Sequence, residues 1–152
     1  MLLEINTPEG KIFEGKIEKI VVPTQVGEIC ILKNHQPLIS IVEPGIVKIK
    51  VLKQQQQEFI KGTKFLFEDE WMCISVWSWM LYVSGSEIIL LTSTATSQLE
   101  TDEEVLKKMK IEMEKQIEEI KLKGSLDDVE KAFLHIQKIT ADLKLHKIKN
   151  KT

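Results

Sequence analysis

Pro44-Gly45-Ile46-Val47-Lys48-Ile49-Lys50-Val51 decides the fold class of this 152-residue chain. Pro-Gly signals a turn. After it Val47, Ile49 and Val51 alternate with Lys48 and Lys50, the period of a strand with one buried and one wet face. The pattern extends outward in both directions. Upstream, Lys16-Ile17-Glu18-Lys19-Ile20-Val21-Val22 ends at Pro23, and Glu28-Ile29-Cys30-Ile31-Leu32 follows Gly27. Downstream, Ser84-Gly85-Ser86 separates Leu81-Tyr82-Val83 from Ile88-Ile89-Leu90-Leu91, which reads as a hairpin. Many short strands with turn chemistry between them predict a sandwich or a barrel.

Near residue 100 the period changes. All four prolines and six of the seven glycines lie before that point, while 12 of the 21 lysines lie after it. The reading is therefore a β unit over 1–99 and a two-helix unit over 100–152. Thr101 with Glu104 forms a capping box, and Asp102 and Glu103 add negative charge at the positive end of the helix dipole. Leu106, Met109, Met113, Ile117 and Ile120 repeat at helical spacing. Lys121, Lys123 and Gly124 supply the stop. Ser125 with Asp128 opens a second helix, whose stripe runs Leu126, Val129, Phe133, Ile136, Thr140, Leu143. So short a turn makes the helices antiparallel. A two-helix hairpin is marginal alone and needs a surface to pack on, which suits a moving part.

Composition excludes several classes. The 21 basic residues, all lysine, face 23 acidic ones, so no strong field points to nucleic acid, and the arginine fork that clamps phosphates is missing. No phosphate loop, nucleophile elbow, HExxH or paired Cys/His cluster occurs. No catalytic residue, metal site or cofactor is expected. Cys30 and Cys73 read as buried hydrophobes in a reducing compartment. His135 and His146, eleven residues apart on the second helix, read as surface or helix-edge side chains. The charged helix faces read as solvated, with i,i+4 pairs such as Glu104/Lys108. Lys144, Lys147, Lys149 and Lys151 suit a helix C-terminus. Met1-Leu2-Leu3-Glu4-Ile5 is no signal or transit peptide. The longest uncharged run, Trp71 to Ser86, is too short to span a bilayer.

Six of the nine aromatic residues fall between Phe65 and Tyr82. Read as a strand, Trp71, Cys73, Trp77, Trp79 and Leu81 face one way, and Met72, Ile74, Val76 and Met80 the other. Either this strand is covered on both sides, or its outer face docks on another subunit.

Gly27-Glu28-Ile29-Cys30-Ile31-Leu32-Lys33-Asn34-His35-Gln36-Pro37-Leu38, followed by Glu43-Pro44-Gly45-Ile46-Val47-Lys48-Ile49, resembles the most recognisable stretch of the epsilon subunit family of rotary ATP synthases (delta in mitochondria). The family's pattern there is close to G-E-x-G-x-L-P-G-H-x-P-L, then x-P-G-x-x-x-I. Thr7-Pro8-Glu9-Gly10-Lys11-Ile12-Phe13-Glu14-Gly15 is similar to its opening strand pair, and Leu81 to Leu91 with Thr92-Ser93-Thr94-Ala95 to its strand-turn-strand. The resemblance implies a ten-stranded β-sandwich joined to a helical hairpin. It implies a non-catalytic central-stalk subunit that couples gamma to the c-ring in a proton-translocating ATP synthase. Such a subunit is peripheral to the membrane, on the cytoplasmic side of a bacterial cell. In many bacterial members the helices can unfold from the sandwich, extend along gamma and block ATP hydrolysis, which would bring them to alpha and beta. Glu28, Asn34, His35, Pro37 and Leu38 are the implied gamma and c-ring contacts. In such a regulatory role Lys107, Lys108, Lys110 and Lys115 would be the residues positioned to meet acidic stator surfaces. Asn34 stands where the family has glycine, and asparagine tolerates the left-handed conformation such a position needs.

The chain departs from the family between Val51 and Met80, which is longer. Either Gln54 to Phe67 is an extended hairpin, or Glu68 to Trp79 is an added strand. The Gly-Gly usual before the strand at Leu81 is also absent. Some members bind ATP through I/L-D-x-x-R-A at the first helix. Here Asp102 is kept, but the arginine position is Val105, which cannot contact a phosphate. Tight ATP binding is therefore not expected, and a calorimetric titration giving micromolar affinity overturns that expectation. A different reading of the same residues is a stand-alone β-sandwich binding module with a helical dimerisation hairpin, its ligand stacked on Trp71, Trp77 or Trp79.

Overall fold

In the computed structural model, residues 1–52, 65–77, 79–96 and 101–151 are described. The strands are β1 Leu2–Thr7, β2 Gly10–Thr24, β3 Gly27–Ile31, β4 Leu38–Val42, β5 Gly45–Val51, β6 Leu66–Glu68, β7 Trp71–Val76, β8 Trp79–Ser84, β9 Glu87–Thr92 and β10 Ala95–Thr96. Two helices follow, α1 Glu103–Lys123 and α2 Leu126–Lys151.

The strands form one hydrogen-bonded path that folds over into two layers. The 15-residue β2 makes the turn-over. Its first half pairs with β1, from Leu2↔Lys16 to Thr7↔Gly10. Its second half pairs with β5 on one side and β3 on the other. A register shift between Ile17 and Lys19 marks the crossing. There the inward phase of β2 changes, from Phe13 and Ile17 to Ile20 and Val22, as a bulge requires. One layer holds β1, β9, β8 and β4, with β1 and β9 parallel. The other holds β3, the end of β2, β5 and β7, with β6 and β10 both on the far edge of β7. Among the described residues, eighteen buried apolar side chains from both layers form one core, Phe13, Ile49, Met72 and Leu81 among them. The sandwich alternative is the one adopted.

Helix α2 lies on the outer surface of β5, β6 and β7, and α1 packs on α2. Strand β7 is therefore covered twice. Met72, Ile74 and Val76 point into the sandwich, while Cys73 packs with Leu145 and Ile148 of α2. Burial pushes the Cys73 thiol up. Cys30, by contrast, is exposed, so only one cysteine is the buried hydrophobe expected.

The aromatic run is not one strand. It breaks after Val76 and restarts at Trp79, so Leu81 faces the core instead of sharing a side with Trp77. Of the two placements for the extra length, Gln54 to Phe67 lies outside the described residues except for its end. Glu68 to Trp79 is split by a turn at Asp69-Glu70, and its strand β7 sits centrally between β5 and the β6/β10 edge.

The helix termini differ in part from their sequence reading. Asp102 is the N-cap of α1, with no side-chain cap hydrogen bond, so Thr101 and Glu104 fall one residue out of capping-box register. At Gly124 the backbone is extended, not left-handed. Glycine is needed there for closeness: an added Cβ would come within 2.8 Å of the Ile120 carbonyl oxygen. Ser125 and Asp128 do open α2. The Ser125 hydroxyl and amide donate to the Asp128 carboxylate at 2.8 and 3.2 Å, and the hydroxyl bond is the larger cause of its depressed pKa.

The stripe expected on α2 is corrected. Leu126 and Phe133 are exposed, while Ala132, Ile139, Ala141, Leu145, His146 and Ile148 are buried. A helix held between a sheet and another helix buries two sides, so one apolar stripe cannot describe it. His146 is no surface residue. Its Nε2 lies 2.6 Å from the Thr101 carbonyl oxygen, pinning α2 to the start of α1.

Candidate functional site

Strands β4, β8 and β9 are inward-facing at Val42, Leu81, Val83, Ile88 and Leu90. Alternation then turns Ile39, Ile41, Met80, Tyr82, Ile89 and Leu91 outward. The register aligns them in two rows, Ile39–Tyr82–Ile89 and Ile41–Met80–Leu91. Ile39 is 66% and Ile41 53% exposed, and the first row ends against Glu4 of β1, which pairs with Lys11. Trp79 at the start of β8 is half exposed. With Trp77, Ser93 and the ends of the rows it borders a shallow depression of about 630 Å³. A contiguous outward apolar face is a protein-docking surface far more often than a solvated one.

The β3–β4 loop adjoins this face. Leu32 accepts the His35 amide at 3.1 Å across a turn in which Asn34 takes φ 65°. The left-handed conformation anticipated for Asn34 is thus adopted. His35 is half-buried, with Nδ1 2.8 Å from the Gln36 carbonyl oxygen, and Pro37 is exposed. Leu38 opens β4 opposite Val83, one residue before Ile39. Loop and face are therefore continuous. Glu28 is placed elsewhere, at the opposite end of β3. There it lines a cleft of about 460 Å³ between the sandwich and α2, with Lys48, Glu68, Ile136, Gln137 and Lys144.

Polar bonds as well as the Cys73, Leu145 and Ile148 contact hold the hairpin against the sandwich. Lys138 Nζ donates to Ser75 Oγ at 2.8 Å and pairs with Asp142, while the Ser75 hydroxyl donates to Asp142 Oδ1 at 2.6 Å. Ser75 is fully buried and Lys138 nearly so. Gln137 Nε2 donates to Glu43 at 2.8 Å. The ring of His135 meets Trp77 edge-on, with centroids 4.9 Å apart. Trp71 packs into the small α2 cluster, with the Lys19 ammonium 4.6 Å over its ring. Trp71 thus lies apart from Trp77 and Trp79, which border the same depression.

On α1, Lys107 pairs with Glu103 at 2.7 Å and Lys110 with Glu114 at 3.9 Å, within the helix. Lys108 and Lys115 lie on its exposed side. Asp102 serves as N-cap, and Val105 is half exposed one turn into the helix. Among the described residues no group of His, Cys, Asp and Glu converges as a metal site, and no helix is long and apolar enough to cross a membrane.

Residues 1–63 match the family described as ATP synthase, Delta/Epsilon chain, beta-sandwich domain. The ATP synthase epsilon chain of Persephonella marina is 32% identical over 117 residues, 77% of this chain and 75% of that one. The ATP synthase epsilon chain of Dichelobacter nodosus is 33% identical over 113 residues, 74% of this chain and 68% of that one. The fold resembles a chain in the Euglena gracilis mitochondrial ATP synthase OSCP/F1/c-ring structure, with a TM-score of 0.67 at 16% identity, covering 91% of this chain and 76% of that one.

Proposed function

The chain belongs to the ATP synthase epsilon chain family, and from that premise we propose that it is a non-catalytic rotor subunit coupling gamma to the c-ring. Residues 1–99 are the rotor-binding unit and residues 100–152 the helical one. The apolar rows on β4, β8 and β9 carry the reading. They offer an apolar surface suited to a helical shaft, and the Asn34–Leu38 loop extends it toward a second partner. Glu28, on the cleft side of β3, is the weaker member of that contact set. The subunit works peripherally on the membrane, on the cytoplasmic side of a bacterial cell, in a proton-translocating ATP synthase.

The helices supply a regulatory part. In the docked hairpin Lys107 and Lys110 are engaged with neighbouring acids. Release of the hairpin carries them, with Lys108 and Lys115, toward acidic surfaces of alpha and beta. The test is co-purification: the full chain should retain gamma and, with it, the c-ring. A chain that self-associates and leaves gamma behind contradicts the rotor role. ATP hydrolysis that is unchanged in a reconstituted complex after deletion of residues 101–152 removes the regulatory part alone.

A further inference from the structure

Trp77 stands where two packing surfaces meet. It occupies the link between β7, which lies under α2, and β8, which carries the apolar face. Its backbone is clamped. The Trp77 amide donates to the Thr94 carbonyl at 3.1 Å, and its own carbonyl accepts the Thr92 hydroxyl at 2.9 Å. That hydroxyl belongs to a fully buried residue and is also 2.8 Å from the Thr94 carbonyl oxygen. The side chain is not clamped in the same way. It is half-buried, touches His135 of α2 edge-on, and lines the depression beside Ile39, Ile41 and Met80.

We propose that Trp77 couples occupancy of the apolar face to docking of the helical hairpin, so that each strengthens the other. The proposal rests on the reading of that face as the gamma-binding surface. A partner seated there covers the open side of the indole and restricts its rotamers. The ring is then already ordered when it meets His135, and the ordering cost is borne once for two contacts. Because the coupling is a difference of binding free energies, it acts equally in both directions. With one side chain as its carrier, it belongs at the low end of usual couplings, about five-fold.

The experiment uses the full chain and purified gamma. Hydrogen exchange of α2 is followed with and without gamma, and gamma affinity is measured by calorimetry. In the parent chain, gamma should slow exchange of residues 132–148 about five-fold. In Trp77→Ala that slowing should vanish. His135→Ala changes an exposed residue outside the docking face, and by reciprocity it should weaken gamma binding by the same factor of about five. Slowing that persists in Trp77→Ala would mean that gamma touches α2 directly, and it overturns the coupling. So does a His135→Ala chain that binds gamma as the parent does. A parent chain that fails to bind gamma overturns the docking reading itself, and the coupling with it.

Discussion

A chain carrying Ile41→Glu should fold as the parent does and lose its hold on gamma by more than about a hundred-fold. Ile41 is outward on β4 and 53% exposed, opposite Met80 in the register. A glutamate there stays in water in the free chain, and an exposed position tolerates the change within about half a kcal/mol. In the complex the carboxylate must leave water for an apolar contact. An unpaired polar group buried in that way costs roughly 2–7 kcal/mol. Even about 3 kcal/mol exceeds a hundred-fold in affinity. Ile39→Glu, in the neighbouring row, should act similarly. Glu28→Gln, across the molecule in the cleft beside α2, should leave gamma affinity unchanged. Thermal unfolding and calorimetric titration with gamma measure the two halves of the prediction. Parent-like affinity in the Ile39→Glu/Ile41→Glu double variant would move the docking surface elsewhere.

How far the sequence could be read depends on whether water marks one face of an element. Strand β5 declares itself because Lys48 and Lys50 interrupt its apolar side. Strand β7 does not, because Met72, Ile74 and Val76 enter the core while Cys73 and Ser75 are covered by α2. Both of its faces are dry, and periodicity carries no direction there. The same ambiguity explains α2, whose two buried sides blur any single stripe. The docking rows were not legible in β4. In Leu38-Ile39-Ser40-Ile41-Val42 the one polar residue, Ser40, shares the inner phase with Val42, so alternation alone would turn Ile39 and Ile41 the wrong way. Asn34 was legible because so few residues accept a left-handed backbone. The Ser75, Lys138 and Asp142 cluster left no trace, since its hydroxyl lies 67 residues from the carboxylate it meets.

That cluster sets the second large effect: Asp142→Ala should loosen the hairpin, raising its opening by more than about ten-fold, while the sandwich stays folded. The Lys138 ammonium would keep Ser75 Oγ and lose its counter-charge. Breaking a buried ion pair costs about 3–5 kcal/mol. Lys138 and Asp142 keep 11% and 16% of their side-chain surface in water, so a figure nearer about 2–3 kcal/mol applies. An apolar contact of comparable size opposes full release, since Ile46, Leu66 and Trp71 also pack against its buried members. Leu145, Ile148 and Cys73 are its buried members, worth roughly 1.5–3 kcal/mol for each large side chain before ordering costs. The sandwich core has eighteen buried apolar members among the described residues and none of the cluster's charges, so its unfolding temperature should barely move. Hydrogen exchange should then rise across Leu126–Lys151 and not across β1, β8 or β9. The double variant Lys138→Met/Asp142→Leu removes both charges and restores apolar volume, and it should return α2 to parent-like protection. If Asp142→Ala leaves α2 as protected as in the parent, the ion pair is not what holds the hairpin down. If the double variant is as open as the single one, the hydrogen bonds to Ser75 matter more than the charge balance.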